Sequence, residues 1–242
     1  MMRFLQQVER GRDQIGDLEL LEIELETLWG DSSQRPVPDL VLATCAAGHV
    51  AALSEELPDL VAAELEQVVG AAPAGADPGS PPPALERCRL VLERVGGRAA
   101  IASGPSYVIP QTITFPPTAA LVLAGAGVDD LRGANPGNWG LEEWDELIDG
   151  ALGPWAMAVH RQQVIAICHT PACSARGAEA GVWTRPGHRG RGHAATVTAA
   201  WASLMAPAGR MLFYSTTAAN RSSQRVAARL GLRRLGWLWQ LT

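Results

Sequence analysis

The segment Thr184-Arg-Pro-Gly-His-Arg-Gly-Arg-Gly-His-Ala194 concentrates three glycines and three arginines between two apolar runs. A strand-like run ending at Trp183 enters it, and a long Ala-rich run leaves it. Gly190 and Gly192 strip side chains from the turn, so backbone N–H groups can approach a ligand closely. A helix starting near Arg191 adds its own unpaired N–H groups and the positive end of its dipole. Together these groups suit a phosphorylated ligand. The alternative for such a turn is an ordinary strand-to-helix connection with solvated arginines.

The 242 residues allow one large domain or two small ones with a sizeable core. A hydrophobic content of 47% with 19% charged residues is that of a globular protein. The formal net charge of -5 argues against general nucleic-acid binding. Positive charge collects late, from Arg176 to Arg191 and from Arg221 to Arg234, while Glu19, Glu22, Glu24 and Glu26 crowd one early run. A locally basic site on an acidic chain fits a small anionic ligand better than a polyanion. Cys45, Cys88, Cys168 and Cys173 form no C-x-x-C pair, so neither a disulfide framework nor a metal site is expected. No apolar run reaches membrane-span length and the N-terminus lacks a signal-peptide pattern, so a cytoplasmic protein is expected.

The clearest seam is Gly70–Pro83, too rich in Gly and Pro for a regular interior and read as a flexible loop. Before it, Asp39–Cys45 reads as a strand and Glu55–Val69 as a helix with Leu57, Leu60, Val61, Leu65 and Val68 at helical spacing. After it, Ala84–Val95 reads as a helix, and Gly104–Pro117 as a turn-rich stretch in which Gly-Pro, Ile-Pro and Phe-Pro-Pro break any long element. A boundary near Pro117 divides an α+β region, 1–117, from a second domain, 118–242. There the expected order is a strand at Ala119–Ala124, a helix in two pieces over Asp129–Gly150, and a hairpin of Trp155–His160 and Gln163–Thr170. A strand at Ala178–Thr184, the Ala-rich helix to Met205, a strand at Met211–Thr216, a helix at Ser222–Leu230 ending at Gly231, and a strand at Leu235–Leu241 complete it. Hairpins mixed with crossovers imply an α/β (α+β) protein with a mixed, mostly antiparallel central sheet flanked by helices.

On these residues the chain resembles the GNAT superfamily of acyl-CoA-dependent N-acyltransferases. The superfamily's signature, Arg/Gln-x-x-Gly-x-Gly/Ala, is matched by Arg189-Gly-Arg-Gly192-His-Ala194, with the lead-in Arg185-Pro-Gly-His-Arg189. The later pattern of an Asn, a small residue and Leu-Gly is matched by Asn220, Ser223 and Leu230-Gly231, so the resemblance covers about residues 118–242. It implies that the CoA pyrophosphate rests on the backbone amides of Arg189, Gly190, Arg191, Gly192, His193 and Ala194. It implies that pantetheine pairs with Trp183 and Thr184 in a gap splayed open beside Met211–Thr216. Asn220 would contact pantetheine or order the site, and Ser223 and Arg225 would reach CoA from the following helix. Acetyl-CoA is then the co-substrate, with no metal. Many members carry a Tyr seven residues after this Asn to protonate the thiolate; here that position is Ala227. Tyr214, Ser215 and His193 are the candidate substitutes.

For the acceptor, Glu179 and His169 are the candidate bases, and Tyr214 adds a hydroxyl along the neighbouring strand. By strict alternation Glu179 shares a face with Gly181 and Trp183, unless a bulge shifts the phase. Each also has a structural reading: a buried or acceptor-binding carboxylate, a packing histidine, a strand tyrosine. Trp139 and Trp144 fall where the fold places an acceptor wall, with core packing as the alternative. The expected activity is acetyl transfer to a primary amine on a small molecule. The alternatives are a CoA-binding regulatory or structural protein without turnover, and acetylation of a protein N-terminus or lysine. The N-terminal 110 residues carry no chemical motif; capping the acceptor site, forming a homodimer and extending the core all stay open.

Overall fold

The computed structural model describes residues 2–5, 15–30, 37–72, 77–125, 129–151 and 153–242. In chain order the elements are β1 (Met2–Leu5), α1 (Asp17–Trp29), β2 (Leu40–Cys45), β3 (Gly48–Ser54), α2 (Asp59–Gly70), α3 (Pro83–Gly96), β4 (Ile101–Ile109), β5 (Ala120–Leu123) and α4 (Asp129–Arg132). There follow α5 (Leu141–Asp149), β6 (Ala156–His160), β7 (Gln163–Cys173), β8 (Gly177–Thr184), α6 (His193–Met205), β9 (Met211–Ser215), α7 (Arg221–Arg229) and β10 (Arg233–Leu241). No described helix is long and apolar enough to cross a membrane. Two compact units result: Met1–Tyr107 with Ser215–Asn220 and Arg234–Thr242, and Val108–Tyr214 with Arg221–Arg233. This division differs from a single seam at residue 117, because β10 pairs antiparallel with β2 and so returns the C-terminus to the first unit.

In the first unit the strand order is β1-β3-β2-β10-β4. β2 and β3 are buried along their whole length, which is why neither alternates apolar with polar residues. Leu40, Leu42, Ala51 and Leu53 pack with Leu65, Val68, Leu85, Cys88 and Leu92 of α2 and α3. Leu60, counted toward that apolar stripe from its spacing, instead points to solvent, 87% exposed. Two further differences from the sequence expectations have clear causes. Gly104-Pro105 lies inside β4 rather than breaking it: Gly104 lets Thr216 approach, and the Pro105 carbonyl still accepts from the Thr216 N–H at 3.2 Å. The Gly70–Pro83 loop is in part outside the described residues (73–76), and its Asp77–Ser80 portion is tied. There Asp77 accepts from the Gly79 N–H and the Ser80 hydroxyl, each at 3.0 Å, and the Thr44 hydroxyl donates to the Pro78 carbonyl.

In the second unit the order is β9-β8-β7-β6-β5, antiparallel except for the parallel β8–β9 pair. The β6–β7 turn is Arg161-Gln162, both at positive φ (50° and 61°), the left-handed pair that a tight two-residue hairpin turn demands. β7 runs on past Thr170 to Cys173. From His169 to Ala172 it advances three residues while β8 advances two, from Gly181 to Glu179, so β7 holds the bulge and Pro171 sits where no ladder N–H is needed. The buried tryptophans each have a tethering role. The Trp144 indole N–H donates to the Leu131 and Arg132 carbonyls at the end of α4, Trp155 to Ile148, and Trp201 to the Thr170 hydroxyl. α7 ends in a Schellman cap. Gly231 (φ 65°) donates to the Ala228 carbonyl, and Leu232 donates to that of Ala227.

Candidate functional site

The parallel β8–β9 ladder is short. Gly177, Ala178 and Glu179 pair with Met211, Leu212 and Phe213, and the pairing then ends. β8 continues through Ala180–Thr184 without a β9 partner, so the two strands fork toward the turn that starts at Arg185. The Arg185 N–H donates to the Ile165 carbonyl on β7 at 2.9 Å. By antiparallel alternation the backbone groups of Trp183 also face β7, while those of Val182 and Thr184 face the fork. The expectation that Trp183 and Thr184 both offer edge groups is thereby corrected to Val182 and Thr184. Of these, the Thr184 carbonyl already accepts from the Arg189 guanidinium at 3.2 Å.

At the mouth of the fork, Pro186–His188 forms one 3-10 turn, and α6 begins at His193 with Gly192 as its N-cap. Gly190 (φ 78°) and Gly192 (φ 91°) both occupy the left-handed region, which side chains disfavour. Gly192 is also crowded. A Cβ there would meet Thr118 Cγ2 at 3.3 Å, Arg229 Nη1 at 3.4 Å and Phe115 at 3.5 Å. The first helical hydrogen bond runs from the Thr196 N–H to the Gly192 carbonyl, so the amides of His193 and Ala194 have no helical acceptor, and no side chain caps them. The Arg189 amide differs from expectation in donating to the Pro186 carbonyl at 3.4 Å within the turn.

The surrounding electrostatics are positive. Arg185, Arg189, Arg191, Arg221, Arg225 and Arg229 form no ion pair with a carboxylate among the described residues. Arg229 belongs to no motif, and the signal that marks it is its spacing, since Arg221, Arg225 and Arg229 stand at i, i+4 and i+8 along one stripe of α7. His160, His188 and His193 line up with ring centroids 6.1 Å apart at each step. His188 lies below the ordinary imidazole value, first through loss of hydration, then through Arg191, His160 and Arg185. His193 is lowered by burial and then by His188, Arg191 and His160. Its Nδ1 shares a 2.7 Å hydrogen bond with the Thr118 hydroxyl, so the side chain pins the first turn of α6.

The other candidates separate by face. Thr198 of α6 hydrogen-bonds the Cys168 thiol, which puts Cys168 and its partner Val182 on the α6 side of the sheet. His169, Glu179, Gly181 and Trp183 therefore lie on the opposite side, with α5 and Trp139. Because the bulge is in β7, β8 keeps its phase, and the structure does bring Glu179 and His169 to one face. Tyr214 does not join them. It follows Phe213, the partner of Glu179, and so points to the other side of the sheet, 2% exposed. Ala227 is fully buried and supplies no acid. Asn220 and Ser215 belong to the segment returned to the first unit, where the Asn220 N–H donates to the Thr217 carbonyl; Ser223 is half-buried in α7. Among the described residues no group of His, Cys, Asp and Glu is arranged to hold a metal.

Residues 142–236 match the family described as GNAT acetyltransferase. No curated protein matches the chain. A GCN5-related N-acetyltransferase from Kribbella flavida is similar in fold, at 16% identity and a TM-score of 0.53 over 94% of this chain and 96% of that one. A GCN5-related N-acetyltransferase-like protein from Streptococcus suis is 16% identical with a TM-score of 0.48, over 91% and 93% of the two chains. A protein described as an acetyltransferase from the GNAT family, from Novosphingobium aromaticivorans, is 23% identical with a TM-score of 0.44, over 59% and 64%. The chain thus spans less than two thirds of the Novosphingobium structure and nearly all of the Kribbella one. Residues 142–236 are thus similar to the GNAT acetyltransferase family, and the fold is similar to that of the Kribbella protein.

Proposed function

We propose that this protein is an N-acetyltransferase that moves an acetyl group from acetyl-CoA directly to the primary amine of a small molecule. The observation that carries the proposal is the fork between β8 and β9 opening onto a turn with two left-handed glycines and a cluster of cations without carboxylate partners. Pyrophosphate suits the turn, since the amides that precede the α6 ladder and the helix dipole both favour an anion. Pantetheine suits the Val182 edge of β8, as an added strand would.

The chemistry follows from what lies beside the fork. The amine nitrogen attacks the thioester carbonyl carbon, whose oxygen is polarised by a β8 backbone N–H. The C–N bond forms, the C–S bond breaks, and CoA leaves as its thiolate. The amine proton passes to His169, directly or through water, and the thiolate takes its proton from solvent, because Ala227 and the turned-away Tyr214 do not supply one. Glu179, on the face of His169, draws in the ammonium form of the substrate, which gives one proton to water before the neutral amine attacks. Losing a general acid costs about two to four orders of magnitude at most, which a good leaving group tolerates.

Ala227 also favours a second reading, a CoA-binding protein without turnover. Two measurements separate them: the thermal shift with acetyl-CoA, and thiol release from acetyl-CoA across an amine panel. Stabilisation together with thiol release is expected. Stabilisation without release from any amine leaves only the second reading, and no stabilisation removes both.

A further inference from the structure

The face of the sheet away from α6 carries a group of rings that acetyl-CoA binding at the turn does not use. His169 stands opposite Gly181, and a Cβ on Gly181 would lie 2.6 Å from His169 Nε2 and 3.0 Å from both Cδ2 and Cε1. The imidazole therefore fills the volume a side chain would occupy, and only glycine leaves it there. Trp139 meets the His169 ring edge-on, with centroids 5.9 Å apart at 85°, and meets Trp183 at 5.8 Å and 73°. Trp144 backs Trp139 at 5.6 Å. Trp139 stands on a locked turn, in which the Asn135 side chain accepts from the Gly137 N–H and donates to the Trp139 carbonyl. Trp139, His169 and Trp183 are half-buried, whereas Glu179 and Trp144 are buried, so the three rings reach solvent rather than lie in a sealed core.

We infer that this ring corner is the acceptor subsite, that it takes a primary amine borne on a flat apolar group, and that Gly181 and Trp139 position His169 over that amine. This rests on the acyl-transfer reading above and names its substrate class. Two indole rings meeting near a right angle give two apolar walls, which a planar group fills by edge and face contacts better than a flexible chain does. The charge pattern orients it. Arg185 lies over Trp183 at 5.8 Å and disfavours a second cation at that end, while the Glu179 carboxylate, two residues before Gly181, favours the ammonium at the other. The planar group then rests toward Trp139 and Trp183, and the nitrogen comes beside His169.

The test is binding and turnover of 2-phenylethylamine against 1,4-diaminobutane, by calorimetry with CoA present and by thiol release from acetyl-CoA. Wild type is expected to bind the aryl amine about tenfold more tightly, and Trp139→Leu to lose that preference while keeping its acetyl-CoA thermal shift. Gly181→Ala displaces the imidazole, so kcat falls about tenfold or more and the acidic limb of the kcat/KM profile moves, with KM for the aryl amine little changed. Equal binding of the two amines, or an unaltered preference in Trp139→Leu, overturns the subsite. A Gly181→Ala enzyme with the wild-type pH profile overturns the positioning role. Aryl-amine binding with no thiol release from any amine keeps the subsite and removes acyl transfer. Thiol release from the diamine alone does the reverse.

Discussion

Replacing Gly104 with alanine adds one methyl group at the closest backbone approach in the first unit. A Cβ there would stand 1.8 Å from the Thr216 carbonyl oxygen, 2.7 Å from Thr217 Cα and 2.8 Å from the Thr216 carbonyl carbon. Carbon and oxygen rest comfortably at about 3.3 Å or more, so the 215–218 segment must retreat by about 1.5 Å. Two hydrogen bonds span that gap: the Thr216 N–H to the Pro105 carbonyl at 3.2 Å, and the Ala218 N–H to the Ser103 carbonyl at 2.7 Å. Neither survives such a displacement. At about 0.5–1.5 kcal/mol net for each bond, and more where a buried group is left unpaired, the loss comes to about 2–4 kcal/mol. For a chain of this size that lowers Tm by about 5–15 °C. Calorimetric or fluorescence melting of Gly104→Ala measures it. Gly70→Ala is the control, because nothing lies within 4 Å of a Cβ at the end of α2. Its Tm is expected to hold or rise slightly, by helix propensity. A Gly104→Ala melt within about 2 °C of wild type would refute the close strand approach and the hydrogen bonds built on it.

Proton linkage gives a second expectation. His188 and His193 lie below the ordinary imidazole value in the unliganded protein and a bound anion raises them, so CoA binding takes up protons and tightens as pH falls from about 7.5 to 5.5. Calorimetry in buffers of different ionisation enthalpy reads that uptake, and none at all would contradict it. The same depression acts in the opposite direction on the fold without ligand, which loses stability as pH drops from the ordinary histidine value through the depressed one, as a melting series checks. Burial pushes the Cys88 thiol up to about 11 and the Cys168 thiol well above the usual range, and Cys45 is also buried. A thiol reagent should label half-buried Cys173 alone in the native protein, with fast labelling of a second cysteine as the adverse result. Gly231→Ala forces alanine to a φ of 65° in the Schellman cap and is expected to cost about 1–2 kcal/mol, seen as a drop of a few degrees in Tm.

The parts legible in the sequence are those in which chemistry is local. The hairpin at Arg161-Gln162, the helix broken around Asn135-Pro-Gly-Asn138, the glycine turn into α6 and the cap at Gly231 each rest on a few adjacent residues whose backbone preferences point one way. The less legible parts depend on a distant partner. β3 and α1 show no periodicity that marks them: the strand is buried along its whole length, and α1 sinks Glu24, whose carboxylate oxygens both lie 2.6 Å from the Ser106 hydroxyl. Arg229 reaches the glycine turn only because α7 folds back toward Gly192.

The turn at 184–194 is legible from the sequence alone, because its glycines and arginines are contiguous and the left-handed backbone of Gly190 and Gly192 is intrinsic to glycine. The phase of β8, in contrast, is set by its long-range pairing with β7. Alternation made Glu179, Gly181 and Trp183 one face, but a bulge would have shifted it, and the pairing register puts that bulge in β7 at Thr170-Pro171. Which strand absorbs an extra residue depends on the partner opposite it. That choice set His169 over Gly181, beside Trp139, and left Tyr214 on the other side of the sheet.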